Sequence, residues 1–212
     1  MSARTGNCVE LPADATIDTI RIRQPGVFSQ GQCIYSAGNA GLAWRVGSGS
    51  LRLDRPDDAG QTSFANLAIT GDIIGAETLL FGHYTFTATA LSNCELIPWP
   101  EGCGAPAGDI LLHTLAKTER RAADVIALRC GQAADRVRRL VLLLAQPLDE
   151  SASSLLVTLP TRQDMAEITA LTLETVSRMI SKLRRAGILN PVMRNGFASN
   201  SNFAVIPSQH RT

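Results

Sequence analysis

The sequence predicts an α+β protein in which a strand-rich half, a long helix and a pair of short helices follow one another. Short apolar runs separated by Gly, Asn and Asp fill residues 17–98, which is typical of many short strands. Residues 109–145 contain no Pro and a single Gly, which favours one long helical region. Residues 159–189 show two further helical patterns. We therefore divide the chain into domains at residues 1–106, 107–147 and 148–212.

The strands predicted in the first domain are short, because turn residues recur at 38–39, 47–50, 56–60 and 71–72. Many short strands within one small domain favour a β-barrel or jelly roll, in which few sheet edges stay exposed. The candidate strands are Ile20 with Ile22, residues 42–46, Leu51 with Leu53, residues 65–69 and residues 85–90.

One face of the predicted long helix carries apolar and small residues at alternating spacings of four and three, interrupted by Glu119. This spacing is that of a packing seam. A break at or near Gly131 would begin a shorter helix that ends at residues 146–147, followed by a polar linker over residues 148–154. The seam consists of Leu112, Ala116, Ala123, Ile126 and Cys130, and continues through Ala133 and Val137.

Two amphipathic helices follow the linker. The first begins at Thr161, with Asp164 three residues later as in a capping box, and Met165 and Ile168 form its apolar face with Leu171 close by. The second spans residues 172–185, from a hydroxyl N-cap to basic residues and a glycine, which are start and stop signals.

The second helix separates its residues into two faces at about 100° per residue. Two such helices joined by a turn predict a helix-turn-helix, whose second helix enters the DNA major groove. A surface hairpin with solvated charges is the alternative. The apolar face holds Val176, Ile180 and Leu183, and the polar face holds Glu174, Ser177, Arg178, Ser181 and Arg185.

The net charge of +1 conceals an asymmetry. Residues 1–106 carry 6 basic and 10 acidic side chains and residues 107–212 carry 14 and 9, so the halves have charges of −4 and +5. The basic half, which fits a polyanionic partner, holds the helix-turn-helix.

No apolar run approaches the ~20 residues of a membrane helix and residues 1–13 lack a signal-peptide pattern, so we expect a cytoplasmic protein. Five cysteines without a Cys-x-x-Cys pair argue against structural disulfides and a zinc site.

Residues 161–166, Thr-Arg-Gln-Asp-Met-Ala, and residues 173–178, Leu-Glu-Thr-Val-Ser-Arg, resemble the DNA-binding signature of the CRP/FNR family of bacterial transcription regulators. The resemblance implies that Arg178 donates to guanine O6 and N7, that Glu174 accepts from cytosine N4 and that Ser177 contacts the neighbouring base. Ser177 is the FNR-type residue and implies a TTGAT-like half-site. Phosphate contacts are implied for Thr161, Arg162, Thr175, Ser181 and Arg185.

The same resemblance implies that the long helix dimerises the protein. The packing seam would then be a homodimer interface that brings the two copies of Cys130 together, and two reading helices would address a palindromic DNA site. A helix packed within one chain is the alternative. RNA polymerase is the expected protein partner. We expect no catalysis, because the sequence has no Ser/His/Asp set, phosphate loop or metal-ligand spacing.

Residues 71–77 resemble a segment of the cyclic-nucleotide-binding-like β-roll, a jelly roll that is the sensor domain of the family. Cyclic-nucleotide binders place Arg and Ser shortly after this segment, where the guanidinium pairs with the phosphate. Tyr84 and Thr85 stand at those positions, and no Arg or Lys occurs between Arg55 and Lys117. The sequence therefore argues against cyclic AMP as the effector.

Other effectors leave partial signals. An iron–sulfur cluster of the kind held by one family branch needs three close N-terminal cysteines, whereas Cys8 stands alone there. His83 is a candidate haem ligand, with a loop residue as the alternative. Cys94 and Cys103 flank a turn that would let them meet on oxidation, with idle thiols as the alternative. The candidate effector residues are Gly71, Asp72, Glu77, His83, Tyr84, Thr85, Cys94 and Cys103.

After the reading helix, residues 188–189 and 203–206 are expected to form a two-stranded wing around a turn at 194–196, with a long loop up to residue 202. The whole pattern predicts a sequence-specific DNA-binding regulator with a β-roll sensor, a dimerisation helix and a winged helix-turn-helix, controlled by an effector or redox signal. The alternative is a small-molecule-binding or haem-binding, gas-sensing β-barrel module whose C-terminal helices mediate protein contacts.

Overall fold

The computed structural model of the protein describes residues 24–101, 108–147, 155–194 and 197–205. The chain divides into two compact units, Met1–Ala123 and Asp124–Thr212, and the division falls inside the long helix. The described part of the first unit is rich in strands, and that of the second combines helices with a small sheet.

Within residues 24–101, eight short strands form two four-stranded antiparallel sheets. The strands are β1 (Gly26–Phe28), β2 (Cys33–Tyr35), β3 (Ala43–Ser48), β4 (Ser50–Pro56), β5 (Thr62–Ile69), β6 (Ile73–Ile74), β7 (Thr87–Ala90) and β8 (Cys94–Trp99), with a one-turn helix α1 (Thr78–Phe81) after β6. The sheet orders are β1-β8-β3-β6 and β2-β7-β4-β5. Val46, Leu51 and Leu96 come from both sheets and share one core, so the predicted β-roll is confirmed.

Four predicted strands are confirmed as β3, β4, β5 and β7. In β7 the sequence Thr-Ala-Thr-Ala alternates half-buried and buried positions, as a strand that faces a core on one side must. The sequence pattern does not reveal β1, β2 and β6, because two or three residues are too few to show a period. Strand β8 is concealed by Pro98, which usually argues against a strand. The strand predicted at Ile20 and Ile22 lies outside the described residues.

The turn between β3 and β4, predicted at residues 47–50, depends on a glycine. Gly49 has a φ of +88°, and a Cβ at this position would lie 2.5 Å from the carbonyl oxygen of Asn93. A side chain would therefore meet both backbone strain and a steric clash. Glycine is thus required where the chain passes from the first sheet to the second.

The long helical region breaks near Gly131, as predicted, into α2 (Gly108–Leu128) and α3 (Ala133–Leu144). Gly131 has a φ of +86°, which ends the helical path. The second helix ends at Leu144 rather than at residues 146–147, because these two residues form strand β9 (Gln146–Pro147), which pairs with a later strand.

All five predicted interface residues are exposed within the chain, and Leu112 and Ile126 are the large apolar ones at 70% and 65% exposure. The predicted continuation of the seam to Val137 is wrong. Val137 is fully buried, together with Leu140 and Val141 on the inner face of α3. The break after α2 rotates the seam, so its exposed part ends at Cys130.

The second unit contains β10 (Leu155–Thr158), α4 (Arg162–Thr169), α5 (Leu173–Arg185), β11 (Leu189–Arg194) and β12 (Phe197–Val205). The described strands of this unit form one antiparallel sheet in the order β11-β12-β10-β9. The predicted wing is confirmed, but the expected long loop before residue 202 is wrong. Those residues belong to β12, because β11 and β10 pair with it from its two sides despite its polar sequence.

The expectation of no structural disulfide is also wrong. Cys33 is disulfide-bonded, whereas Cys94 and Cys130 are free. Neither the odd number of the cysteines nor their spacing along the chain reveals this bond. Cys94 is free, and the approach of Cys94 to Cys103 on oxidation stays a prediction because Cys103 lies outside the described residues.

Candidate nucleic-acid interface

Two hydroxyl caps and one tight turn build the helix-turn-helix. The Thr161 Oγ1 atom accepts a hydrogen bond from the Asp164 amide at 3.1 Å, and the Thr161 hydroxyl donates to the Asp164 carboxylate. This is the predicted capping-box-like start of α4. Ala170 ends the helix in the left-handed conformation, with a φ of +52°. Thr172 then caps α5, because its Oγ1 accepts from the Thr175 amide at 3.2 Å.

The two faces of α5 separate as predicted. Val176 and Ile180 are buried, and they face the same core as Met165 and Ile168 of α4, which are fully buried. The burial of these four side chains stabilises the angle at which α5 leaves the turn, since each contributes about 1.5–3 kcal/mol relative to exposure. The helix therefore presents its polar face on a fixed support.

The three predicted base-contacting residues lie together on that outer face. The side chains of Glu174 and Arg178 are 80% and 64% exposed, and Ser177 lies between them and is half-buried. The Arg178 Nε atom is 3.9 Å from Glu174 Oε1, and its Nη2 lies 3.5 Å from Thr175 Oγ1. Such long, solvent-exposed contacts contribute at most about 0.5 kcal/mol. The Arg178 guanidinium can therefore leave these contacts and bind a base at a small cost in free energy.

The five predicted phosphate contacts occupy two places. Thr161 and Arg162 are at the N-terminus of α4, and Thr175, Ser181 and Arg185 are on α5. Thr161 and Arg185 are exposed and Arg162 is half-buried. Burial, together with the positive charge of Arg184, lowers the pKa of Arg162. Arg184 carries no functional signal in the sequence, because its position in a run of basic residues fits a helix stop signal equally well.

Two arginines outside α5 bind the last carbonyl groups of α4, and the sequence did not predict these contacts. Arg129, just beyond the end of α2, donates from Nε to the Ile168 carbonyl at 3.2 Å and from Nη2 to the Glu167 carbonyl at 3.2 Å. Arg136 of α3 donates to the Thr169 carbonyl at 3.3 Å. These carbonyls end α4 and have no partner inside the helix. Some of the basic residues of the C-terminal half therefore stabilise packing, and others lie on the outer face of α5.

In the first unit, the predicted effector residues Gly71 and Asp72 are bound by the protein itself. The Asp72 carboxylate accepts from the Ile69 amide at 2.9 Å and from Arg121 Nε at 2.9 Å, and the side chains of this ion pair are only 12–13% exposed. Lys117 Nζ approaches the Gly71 carbonyl at 3.4 Å. Residues 56–116 contain no Arg or Lys, and the positive charges beside Gly71 and Asp72 are therefore those of Lys117 and Arg121 on α2. The cavity beside them measures about 40 Å³, space for a few waters.

Tyr84 fills the place where the resemblance expects the phosphate-binding Arg. It is 2% exposed, stacks on Tyr35 with ring centroids 3.7 Å apart, and donates to the Leu42 carbonyl at 2.7 Å. A Cβ on Gly41 or Gly75 would lie 2.2 Å or 2.7 Å from Tyr84. Burial raises the pKa of Tyr84 above its ordinary value, so the phenol stays neutral. The ring therefore belongs to the core of the roll.

The other effector candidates are scattered. Glu77 Oε1 accepts from the Thr85 amide at 3.1 Å, which ties the two ends of the loop together. His83 is exposed. Cys94 is buried, and burial raises the pKa of its thiol to about 11. Cys103 lies outside the described residues.

The described residues show neither a metal cluster nor a membrane-spanning helix. They contain no group of three or more His, Cys, Asp or Glu side chains placed to hold a metal ion. None of the described helices has both the length and the apolar composition needed to cross a membrane.

Comparison with known proteins matches both units. Residues 25–102 match the cyclic nucleotide-binding domain model, and residues 135–197 match the Crp-like helix-turn-helix domain model. The nitrogen fixation regulation protein FixK of Bradyrhizobium diazoefficiens is 28% identical over 180 residues, which cover 76% of this chain and 72% of FixK.

Solved structures with the same fold span most of the chain. A CRP-family transcriptional regulator from Thermus thermophilus is 23% identical with a TM-score of 0.63, covering 85% of this chain and 91% of that protein. FixK2 from Bradyrhizobium japonicum is also 23% identical, with a TM-score of 0.62, and the match covers 86% and 91% of the two chains. With two domain models in the order that the sequence resemblance requires, the chain belongs to the CRP/FNR family of bacterial transcription regulators.

Proposed function

We propose that this regulator binds palindromic, TTGAT-like DNA sites as a homodimer. The observation that carries the proposal is the outer face of α5, where Glu174, Ser177 and Arg178 are neighbours on a helix whose opposite face is buried. In the proposed complex Arg178 donates to guanine O6 and N7, Glu174 accepts from cytosine N4 and Ser177 contacts the adjacent base. Backbone phosphates are contacted by Thr161, Arg162, Thr175, Ser181 and Arg185.

A gel-shift titration tests the proposal directly. The full-length protein is titrated against a duplex with two TTGAT half-sites in inverted orientation and against a scrambled duplex of equal composition, at fixed salt. We expect tighter binding to the palindrome by roughly 10³-fold or more, because specific sites exceed non-specific ones by that factor. Equal affinity for the two duplexes would contradict sequence-specific reading and would favour a module whose C-terminal helices contact protein.

The homodimer is supported by the exposed apolar face of α2. Leu112 lies about 180° around the helix axis from Arg121, which binds the roll, and Ile126 is exposed further along the same helix. Ile126→Glu is expected to shift the protein from dimer to monomer in sedimentation experiments. Leu80→Glu, a matched change at an exposed apolar residue of α1, is expected to leave the dimer intact. A dimer that survives Ile126→Glu would contradict the seam.

Control of DNA binding is proposed to begin at the roll, through an effector or a redox signal. The disulfide at Cys33 favours the redox form of this proposal. Binding to the palindrome is measured before and after reduction with dithiothreitol, and again in a Cys33→Ser variant. We expect reduction to change the affinity of the wild type only; an unchanged affinity would contradict redox control.

A haem effector has a separate test. An absorption spectrum of protein purified without oxygen would show a Soret band if His83 holds haem, and a colourless protein would contradict it.

The proposed setting is the bacterial cytoplasm, where RNA polymerase is the proposed partner of the DNA-bound dimer.

A further inference from the structure

The last three carbonyl groups of α4 all accept hydrogen bonds from arginines outside that helix. Arg129 donates to the carbonyls of Glu167 and Ile168 at 3.2 Å each. Arg136 donates from Nη1 to the carbonyl of Thr169 at 3.3 Å. An α-helix leaves its last four carbonyls without a partner inside the helix. The end of α4 is therefore completed by side chains that come from another part of the fold.

Both arginines flank the break between α2 and α3. Arg129 directly follows the last residue of α2, and Arg136 lies in the first turn of α3. Arg136 also donates from Nε to the carbonyl of Gly131 at 2.9 Å. One planar guanidinium thus binds a carbonyl of the break and a carbonyl of α4 at the same time. The distance between the break and the end of α4 is fixed by this fork.

A third arginine binds the end of α2. Arg139 of α3 donates from Nη1 to the carbonyls of Ala127 and Cys130, at 3.0 and 3.1 Å. The C-terminal end of a helix carries a partial negative charge, so the ends of α2 and α4 would repel each other at the same break. The guanidinium groups offset this repulsion. The position of α4 relative to the end of α2 therefore depends on arginine side chains as well as on apolar packing.

The end of α4 leads directly into the reading helix. Only residues 170–172 separate the bound carbonyls from α5. Within them, Ala170 has a φ of +52° and Thr172 is the N-cap of α5. Such a short connection, together with the buried face that α5 shares with α4, leaves little freedom between the two helices. A change in the position of the α4 end would therefore also move α5.

We propose that Arg129 and Arg136 are positioning residues that fix the angle between the end of α2 and α5, and we call them the arginine clamp. This inference rests on the proposed binding of palindromic DNA by a homodimer. Two reading helices bind both half-sites only when they are about one helical turn of DNA apart, roughly 34–36 Å. The arginine clamp sets that separation, so it selects the spacing between half-sites and leaves the reading of bases to α5.

DNA duplexes with different half-site spacing test the arginine clamp. Fluorescence anisotropy at fixed salt compares the wild type with Arg129→Lys, Arg136→Lys and the double variant. The duplexes carry either a single TTGAT half-site or two inverted half-sites whose spacer is changed by one base pair at a time. Lysine keeps the positive charge, but its single nitrogen does not reproduce the fixed two-carbonyl geometry of the fork. A difference between wild type and variant therefore reports on geometry rather than charge.

The wild type should prefer one spacer over the single half-site by roughly 100-fold, because the second reading helix then binds at a high effective concentration. We expect the double variant to lose roughly tenfold of this advantage, to bind the neighbouring spacers about equally well, and to keep the wild-type affinity for the single half-site. Arg55→Lys, at an exposed residue of β4 in the roll, is the matched control and should keep the wild-type preference.

Two outcomes would overturn the arginine clamp alone. A double variant with the wild-type spacing preference would show that the clamp does not set the angle. A loss by the same factor on the single half-site and on every spacer would indicate a structural role only. Thermal melting by circular dichroism checks folding, and each single variant keeps one arginine, so the single variants provide the same test if the double variant is unfolded.

Failure of the proposed function has a different result. A wild type that binds every spacer no more tightly than a scrambled duplex would contradict palindrome binding, and the arginine clamp together with it. A wild type with a clear spacing preference supports the proposed function, and the lysine variants then decide the clamp separately.

Discussion

The polar side chains on the outer face of α5 are exposed to solvent, whereas those of the roll are bound by other groups of the protein. On α5, Glu174 and Arg178 are exposed, and among the described residues they make only long contacts with each other and with Thr175. In the roll, Asp72 is bound by Arg121 and Ile69, and the hydroxyl of Tyr84 by Leu42. The surface of the reading helix is available to a ligand, whereas the corresponding groups of the roll are occupied by the protein.

The fold of the roll therefore does not by itself identify a ligand. The roll matches the cyclic nucleotide-binding domain model, yet Tyr84 occupies core space where that family's phosphate ligand would need a cation. The ion pair of Asp72 with Arg121 links the roll to α2 directly. In this chain, therefore, an ion pair between protein side chains joins the roll to α2.

The largest expected effect is on the core of the roll. Tyr84→Ala should lower the free energy of unfolding of the roll by about 4 kcal/mol, because a large buried ring is lost and a cavity remains. Both tryptophans of the chain, Trp44 and Trp99, lie in the first unit, so urea unfolding followed by tryptophan fluorescence reports on it. Phe81→Ala, at an exposed ring of α1, should change the value by less than about 0.5 kcal/mol. Similar values for both variants would contradict a filled roll.

The second effect concerns the link between the roll and α2. Arg121→Ala should destabilise the first unit by about 3 kcal/mol, because the Asp72 carboxylate would remain largely buried without its cation. Arg120→Ala, at the exposed neighbour on the same helix, should change stability by less than about 0.5 kcal/mol. The same fluorescence experiment compares them. If the two variants unfold at the same urea concentration, Arg121 does not stabilise the contact.

The smallest effect distinguishes the two free cysteines. Cys94 is buried, and its thiol has a pKa raised to about 11, so at pH 8 only about one molecule in a thousand carries the thiolate. Cys130 is exposed after the end of α2 in the single chain, but it belongs to the proposed dimer seam, so the comparison uses the Ile126→Glu variant, which is expected to be monomeric. Brief treatment of this folded variant with iodoacetamide should label Cys130 and spare Cys94, as read by peptide mass spectrometry. Labelling of Cys94 at the rate found in urea would contradict its burial.

The sequence predicts the second unit better than the first, and the reason is physical. Caps, turns and a 3.6-residue period are local signals, so Thr161, Thr172 and the two faces of α5 can be located from spacing alone. Strands of two or three residues, such as β2 and β6, gain their order from partners far away in the chain. The disulfide of Cys33 is a similar case, because the spacing of the cysteines does not reveal which two meet.

The candidate sites differ in the same way. The exposed residues of α5 follow from one helix, whereas Arg184 acquires its orientation from Phe203 on a distant strand. Likewise, the family resemblance implies that Tyr84 stands where a cyclic-nucleotide binder has an Arg, but the sequence does not show that Arg121 of α2 binds Asp72. Spacing along one element can be predicted from sequence, and contacts between elements require the folded structure.

The central claim is that Arg178 reads a guanine, and a double-mutant cycle with modified DNA tests it most directly. Wild type and Arg178→Ala are titrated against the palindromic duplex and against the same duplex with 7-deazaguanine in each half-site, which lacks the N7 acceptor. We expect the wild type to lose about 1–3 kcal/mol of binding free energy on the modified duplex, and Arg178→Ala to lose a similar amount on the unmodified one. The variant should then show no further loss on the modified duplex. Independent, additive losses would contradict the assignment of Arg178 to that guanine.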